Sequence, residues 1–541
     1  MKTLKKISLW LLLLPLLCCS PAWSQGITNN GGYIKSSSTS YTDFSGSGNV
    51  YLKSTTADRT TFGNMNADFT GSGQYKLIIP DDSYVTVDGN LSSGDSLHLQ
   101  ASANGMASLI TNGTVTGNKY LVEQYLSQDQ WHLVSSPVAS AQSAVYTNIY
   151  LKSFYEPDST WSWITATNVP LNVTEGYAAW ASSALTGNAT VEFRGTINTG
   201  NKSATVSYNV GSGKGDGWNL LGNPYPSALE WNSSWTKSSI DATVYVYDGS
   251  QYLTWNYNLG GYGTKTDGSI PSTQGFWVKA NGSSPSLTIP NSERIHSSQS
   301  FYKSGGSLSD MLSLSVSGNG HSDMTLIGFM QDATDGFDSE YDAYKIFGAP
   351  EAPQLYSVIP GYDLAVNLMS GYNSDEPRSL QLGLLVGQSG SYTFQFTNME
   401  DFLPGVTVHL EDRWNGGIGT QGPRIVDVRH TPTYTFQAGP ADDPGRFILH
   451  FNRQAAPGEE PLDSPFADNA SVYSYEKNVY VFLPGSEEAD VYIFDMVGKK
   501  IMKKSIMGNQ LNVIGLDTPA GYYIVEVTGP QTSVSEKVFI R

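Results

Sequence analysis

The chain has 541 residues, with 55 Gly, 12% aromatic residues, only 15% charged residues, a formal net charge of −18 and 2 Cys. That length exceeds a single core, and the aromatic content excludes a disordered chain. The acidic balance excludes a phosphate-tracking footprint and hence a nucleic-acid partner. Both cysteines sit together at Cys18 and Cys19, which excludes disulfides and thiolate metal sites from everything downstream.

Residues 1–24 read as a secretory signal peptide: Lys2, Lys5 and Lys6 precede an apolar run, and Ala22-Trp23-Ser24 is a small-x-small cleavage site before Gln25. The apolar run is too short to anchor the chain. A lipoprotein cysteine wants a small residue before it, whereas Cys18 follows Leu17 and Cys19 follows Cys18. No later stretch is long and apolar enough for a transmembrane segment.

Residues 25–118 repeat loosely. Apolar pieces begin near Tyr33, Val50, Tyr75, Leu97 and Tyr120, separated by Ser, Thr, Gly, Asn and Asp. A step of roughly 17–25 residues matches stacked rungs, so a short N-terminal β-solenoid (β-helix) is expected, with a plain β-sandwich as the alternative.

Residues 119–297 carry an internal duplication. WHLVSSPV (Trp131–Val138) is echoed by WNLLGNPY (Trp218–Tyr225), FYEPDSTWSW (Phe154–Trp163) by VYDGSQYLTW (Val246–Trp255), and EGYAAWA (Glu175–Ala181) by QGFWVKA (Gln274–Ala280). A duplicated β-sandwich region is expected. Nine of the 12 tryptophans lie here. Indoles stack on sugar rings, so Trp161 and Trp163 on one strand face, and Trp231 and Trp235 around an Asn/Ser turn, are candidate ligand-binding residues. Sandwich cores are also rich in Trp, and the duplicated Trp131 and Trp218 are read as core.

Residues 298–453 hold eight strand-like runs and predict a further β-sandwich. Within DATDGFDSEYD, Asp332, Asp335, Asp338 and Asp342 are candidate calcium ligands, because hard cations take several carboxylate oxygens on a glycine-bearing loop; a solvated acidic loop is the plainer reading. Apart from that possible calcium, no cofactor is expected. Residues 454–468 are rich in proline and acid without hydrophobic period, an exposed linker suited to proteolysis.

Residues 469–541 contain four β-type runs: Val479–Leu483, Val491–Phe494, Tyr522–Val527 and Lys537–Ile540. Tyr523, Val525 and Val527 alternate with Ile524 and Glu526, the period of a strand with one buried face. Asp495 and Gly498 form a DMVG turn, and Gly521 precedes the third run. A small Ig-like β-sandwich is expected.

VYIFDMVGKK, AGYYIVEV and the terminal KVFIR together resemble the type A C-terminal sorting domain of type IX secretion cargo, with Arg541 where that family more often ends in Lys. The matching positions are Asp495, Gly498, Gly521, Tyr522 and Lys537. The resemblance implies engagement of the type IX secretion machinery and export across the outer membrane of a Gram-negative cell. It further implies removal of the tail, then attachment through lipopolysaccharide or release. GWNLLGNPYPSALEW and DGFDSEYDAYKIFG resemble segments of other proteins that carry this tail.

No HExxH, GxSxG or P-loop string occurs, and the histidines are scattered. The expectation is an all-β, multidomain, secreted or cell-surface protein, non-catalytic, an adhesin contacting glycan or matrix. The alternatives are a polysaccharide-acting hydrolase, which would use a pair of carboxylates, and a purely structural surface-layer protein.

Overall fold

The computed structural model describes residues 25–28, 34–44, 49–54, 60–67, 76–93, 96–184, 189–211, 216–297, 311–373, 377–413, 424–453, 471–475, 477–483, 488–507, 510–529 and 533–540. The leader with its Ser24 cleavage residue and the 454–468 linker lie outside them. The described residues are all-β, in several sheets, with only short 3-10 turns beside the strands.

The N-terminal strands pair in parallel. Gln25–Thr28, Val50–Lys53, Lys76–Ile79, Ser96–Leu99 and Tyr120–Leu126 follow one another in one sheet. Ile34–Phe44, Thr60–Ala67, Tyr84–Val87, Leu91–Ser93, Ser108–Thr111 and Val115–Gly117 form the facing one. The registers stack like on like: Leu77 beside Leu97 beside Tyr120, and Met65 beside Leu91 beside Val115. At one corner Asn64 Oδ1 accepts the Asn90 N–H at 2.6 Å, and Asn90 Oδ1 accepts the Thr114 N–H at 2.9 Å. These amides satisfy corner backbone that no sheet ladder reaches.

The echoed motifs fold into two antiparallel sheets of the same connectivity. One orders its strands Trp131–Val134, Tyr177–Trp180, Tyr150–Tyr155 and Thr160–Trp163; the other orders Trp218–Gly222, Gly275–Ala280, Ile240–Tyr247 and Tyr252–Asn256. The sheets cross reciprocally: Val134 bridges Gln274, and Leu221 bridges Glu175. This crossing explains the echoed glycines. A Cβ on Gly176 would lie 2.4 Å from the Leu221 oxygen, and one on Gly275 would lie 3.0 Å from Leu133 backbone carbon.

The described residues of 311–453 form one large sheet that folds over a core of Leu314, Val316, Phe394, Phe436, Phe447 and Phe451; among them the single parallel pairing is between His321–Met330 and Tyr362–Ser370. Neither boundary, at 118 or at 297, interrupts the packing. One cluster joins Leu77, Leu97 and Val122 to Leu151 and Ala179. Another joins Leu133 and Trp277 to Leu326 and Val366. Tyr120–Leu126 itself pairs in parallel with Ser96–Leu99 and antiparallel with Ala189–Gly195.

The tail differs in this respect. Its strands form a three-stranded and a four-stranded sheet over a core drawn only from its own residues, among them Val481, Ile493, Tyr523, Val525, Val527 and Ile540.

Candidate functional site

The strand Thr160–Trp163 is the outer edge of the first repeat's sheet and, among the described residues, pairs only with Tyr150–Tyr155. Strand alternation divides that sheet into two faces. Leu151 and Ala179 point into the core shared with the parallel stack. Trp131, Trp180, Tyr150, Lys152, Trp163, Phe154 and Trp161 occupy the other face, because the register sets Trp131 against Trp180, Tyr150 against Trp180, Lys152 against Trp163 and Phe154 against Trp161.

These side chains build one aromatic surface. Trp131 lies 5.5 Å from Trp180 and 6.2 Å from Trp163, ring centroid to ring centroid. Lys152 Nζ sits 4.1 Å from the Trp163 ring and 4.8 Å from the Trp131 ring. The quadrupoles of the two indoles hold the ammonium in place. Trp161 is 39% exposed and Trp163 55%.

A cleft of about 380 Å³ opens beside this face. Trp131, Lys152, Trp161 and Trp180 form one wall. Tyr247 and Tyr252 of the second repeat and the Phe347–Glu351 loop form the others, and Asp129 and Glu351 bring carboxylates. Asp129 Oδ1 accepts the Ser183 N–H at 2.9 Å, and hydrogen bonding to Ser183 holds this carboxyl below its usual range. It is therefore an acceptor at neutral pH and not a proton donor.

The sequence singled out Trp161 and Trp163, and both are on this surface. Trp231 and Trp235 are not. They are 1% and 3% exposed, stack edge-on at 4.7 Å, and donate their indole N–H groups to the Ala242 and Glu230 carbonyls, each at 2.7 Å. They are core of the second repeat, because the Asn/Ser turn folds both rings inward. Conversely, Trp131, expected in the core, is a half-buried wall of the cleft. Trp180, Lys152, Tyr252 and Glu351 were missed. The alternation in YLKSFY and YAAW carried a signal for the first two, but pairing register was needed to use it.

The acidic loop does not gather its carboxylates. Asp335 Oδ1 is taken by Arg378 at 2.6 Å and by the Ser370 hydroxyl at 2.7 Å. Asp338 accepts the Thr334 N–H at 2.6 Å. Buried Asp342 accepts the Leu368 and Asp338 N–H groups, and burial pushes its carboxyl up to about 7. Asp332 is exposed. These four aspartates brace their loop; they do not converge as calcium ligands.

In the tail, Asp495 Oδ1 accepts the Val497 and Lys499 N–H groups, and Gly498 takes φ +82°. Gly521 pairs with Ile540. Tyr522, 54% exposed, meets Phe539 edge-on at 5.1 Å, with Lys537 Nζ 4.9 Å from its ring. Among the described residues no helix is long and apolar enough to cross a membrane.

Residues 475–541 match the family described as the secretion system C-terminal sorting domain, so the chain is a type IX secretion cargo protein, built for secretion or surface display through that machinery. No curated protein matches the chain. Among solved structures it is similar to a chain titled "Biofilm associated protein - BSP domain", at 8% identity over 78% of this chain and 92% of that one, with a TM-score of 0.17, which is too low to argue from. Residues 49–451, more than half of the chain and every residue that lines the aromatic cleft, match the family described as "Domain of unknown function (DUF8693)", and the chain belongs to that family.

Proposed function

We propose that this protein is a non-catalytic adhesin of the Gram-negative cell exterior that holds glycan in the aromatic cleft. The observation that carries the reading is the exposure of Trp161 and Trp163 on the same face as Trp131 and Trp180, around the aromatic-caged Lys152. Most large aromatics of this fold are buried, and an indole left half in water next to a cleft is suited to the apolar face of a pyranose. Gln130, Asp129 and Glu351 supply hydroxyl partners on the rim.

In this reading the N-terminal parallel ladders are a short β-solenoid, supported by their like-on-like registers, and with the duplicated sheets they form a rigid stalk for the cleft. The signal peptide takes the chain to the periplasm. The sorting domain takes it outward and is removed at the 454–468 linker, with the body then attached through lipopolysaccharide or released.

The hydrolase alternative requires a proton-donating carboxyl facing a second carboxylate. Asp129 is held ionised, which disfavours it as that donor. A glycan array on residues 25–453, repeated with Trp163→Ala, tests the reading. Saccharide retention that falls at least ~tenfold in the variant is expected, since a lost stacking contact of 1.4 kcal/mol is a factor of ten. Retention unchanged by Trp163→Ala would move the ligand elsewhere, and cleavage of the retained saccharide would favour the hydrolase.

A further inference from the structure

We propose that His98, Glu123 and Glu192 form a site for a first-row divalent cation of the Zn²⁺ or Mn²⁺ class, on the seam between the parallel stack and the first antiparallel strand. The three residues come from three adjacent strands, Ser96–Leu99, Tyr120–Leu126 and Ala189–Gly195. One ligand atom from each, the His98 ring nitrogen and a carboxylate oxygen of either glutamate, lies within 4.8 Å of the other two. His98 Nε2 is 2.7 Å from Glu123 Oε1. The other Glu123 oxygen accepts the Ala101 N–H at 3.0 Å, which fixes the carboxylate with Oε1 toward the imidazole.

Glu123 stands directly opposite Glu192 in the antiparallel ladder. Like charges at opposed positions of a ladder repel, and here both carboxylates are half-buried, with side chains 17% and 28% exposed, so water screens them only in part. A cation between them removes that repulsion. The cations now near are weakly committed: Arg194 reaches Glu192, but its side chain is 71% exposed, and Lys76 acts on Glu123 only through space. A surface pair of that kind yields to a metal–oxygen bond.

The donor set names the metal class. One imidazole and two carboxylates suit zinc or manganese, whereas calcium takes six to eight oxygens. Three protein ligands on rigid strands leave a further position for water, so the ion needs no rearranged backbone. This inference does not depend on the glycan reading.

The test is calorimetric titration of the EDTA-treated, desalted full chain with ZnSO₄, MnCl₂ and CaCl₂, alongside His98→Gln, Glu192→Gln and His430→Gln. The first two variants preserve volume, and thermal melting confirms that they fold. One-to-one uptake of Zn²⁺ or Mn²⁺ is expected, weakened at least ~tenfold in either site variant, as even outer-shell changes cost that much, and unchanged in His430→Gln, an exposed histidine elsewhere. Absence of saturable uptake, a preference for Ca²⁺, or wild-type binding by either site variant would overturn the proposal.

Discussion

Trp161 meets Trp277 edge-on, with ring centroids 5.9 Å apart and planes at 87°. The first indole belongs to the first repeat's exposed edge strand and the second to the buried sheet of the second repeat. Phe154 braces both, at 5.3 and 4.7 Å. The cleft wall is therefore anchored across the duplication, and its two exposed tryptophans differ in what they support.

That difference predicts a graded mutational response. Trp163→Ala removes ring contacts with Tyr150, Trp131 and Lys152 at a largely exposed site and should cost about 1 kcal/mol of stability or less. Trp161→Ala also opens the contact with Trp277 and should cost about 1–3 kcal/mol. Trp231→Ala, in the core, should cost about 3–5 kcal/mol. Urea unfolding orders the three. Equal costs for Trp163 and Trp231 would contradict the assignment of one to the surface and the other to the core.

A second prediction concerns pH. Burial pushes the Asp241 carboxyl up from 3.8 to about 7, against the pull of the Asn281 amide and Lys279. Between those values the folded state keeps a proton that the unfolded chain has lost. Its contribution to stability therefore falls as pH rises from about 4 to about 7 and is flat above. Asp241→Asn keeps an acceptor for Asn281 and removes the titration. The variant should gain about 1–3 kcal/mol on wild type at about pH 8, and little at about pH 4. A constant difference across pH would show that Asp241 is ionised throughout.

Glu156 should show the opposite sign. Burial alone would raise its carboxyl, but hydrogen bonds from the Ser207 hydroxyl, the Asn209 amide and backbone, and the Gly217 N–H outweigh it and hold the group below its ordinary value. This contribution is present above the unfolded pKa and is lost as pH falls through the folded one. Glu156 ties the first repeat to Ser207, Asn209 and Gly217 ahead of the second, so Glu156→Ala strands those donors and should cost about 2–4 kcal/mol at neutral pH. The gap between variant and wild type should narrow in acid, as followed by urea unfolding at several pH values.

These carboxylates mark where the sequence stopped being legible. Strand positions were readable: apolar pieces near Val50, Tyr75, Leu97 and Tyr120 begin real strands, and Tyr523, Val525 and Val527 are buried as their alternation required. The echo of EGYAAWA in QGFWVKA was readable too, although its cause, the close approach of two sheets at Gly176 and Gly275, was not. What failed depended on partners far along the chain. Trp231 and Trp235 look like Trp161 and Trp163 in composition, and only the edge position of Thr160–Trp163 separates an exposed pair from a buried one. Likewise, nothing local places Ser370 and Arg378 on Asp335, and those partners remove it from any shared cation site.

The last prediction tests whether the sorting module is a separate cooperative unit. Its apolar core draws on residues of the tail alone. Gly498 sits at φ +82° in a turn where an added Cβ would meet nothing within 4 Å, so a larger side chain there is strained by the backbone and not by crowding. Gly498→Val should therefore cost about 1–2 kcal/mol through backbone strain. The Asp495 side chain closes the same turn on the Val497 and Lys499 N–H groups, so Asp495→Ala should add about 1 kcal/mol. Calorimetry of the double variant should move only the transition assigned to the tail and leave that of the body in place. In cells, less of the double variant should be exported, because the altered turn belongs to the domain that marks the chain as cargo. If the body's transition fell by the same amount, the two would melt as one unit, and the tail could not act as a detachable module on an independent cargo.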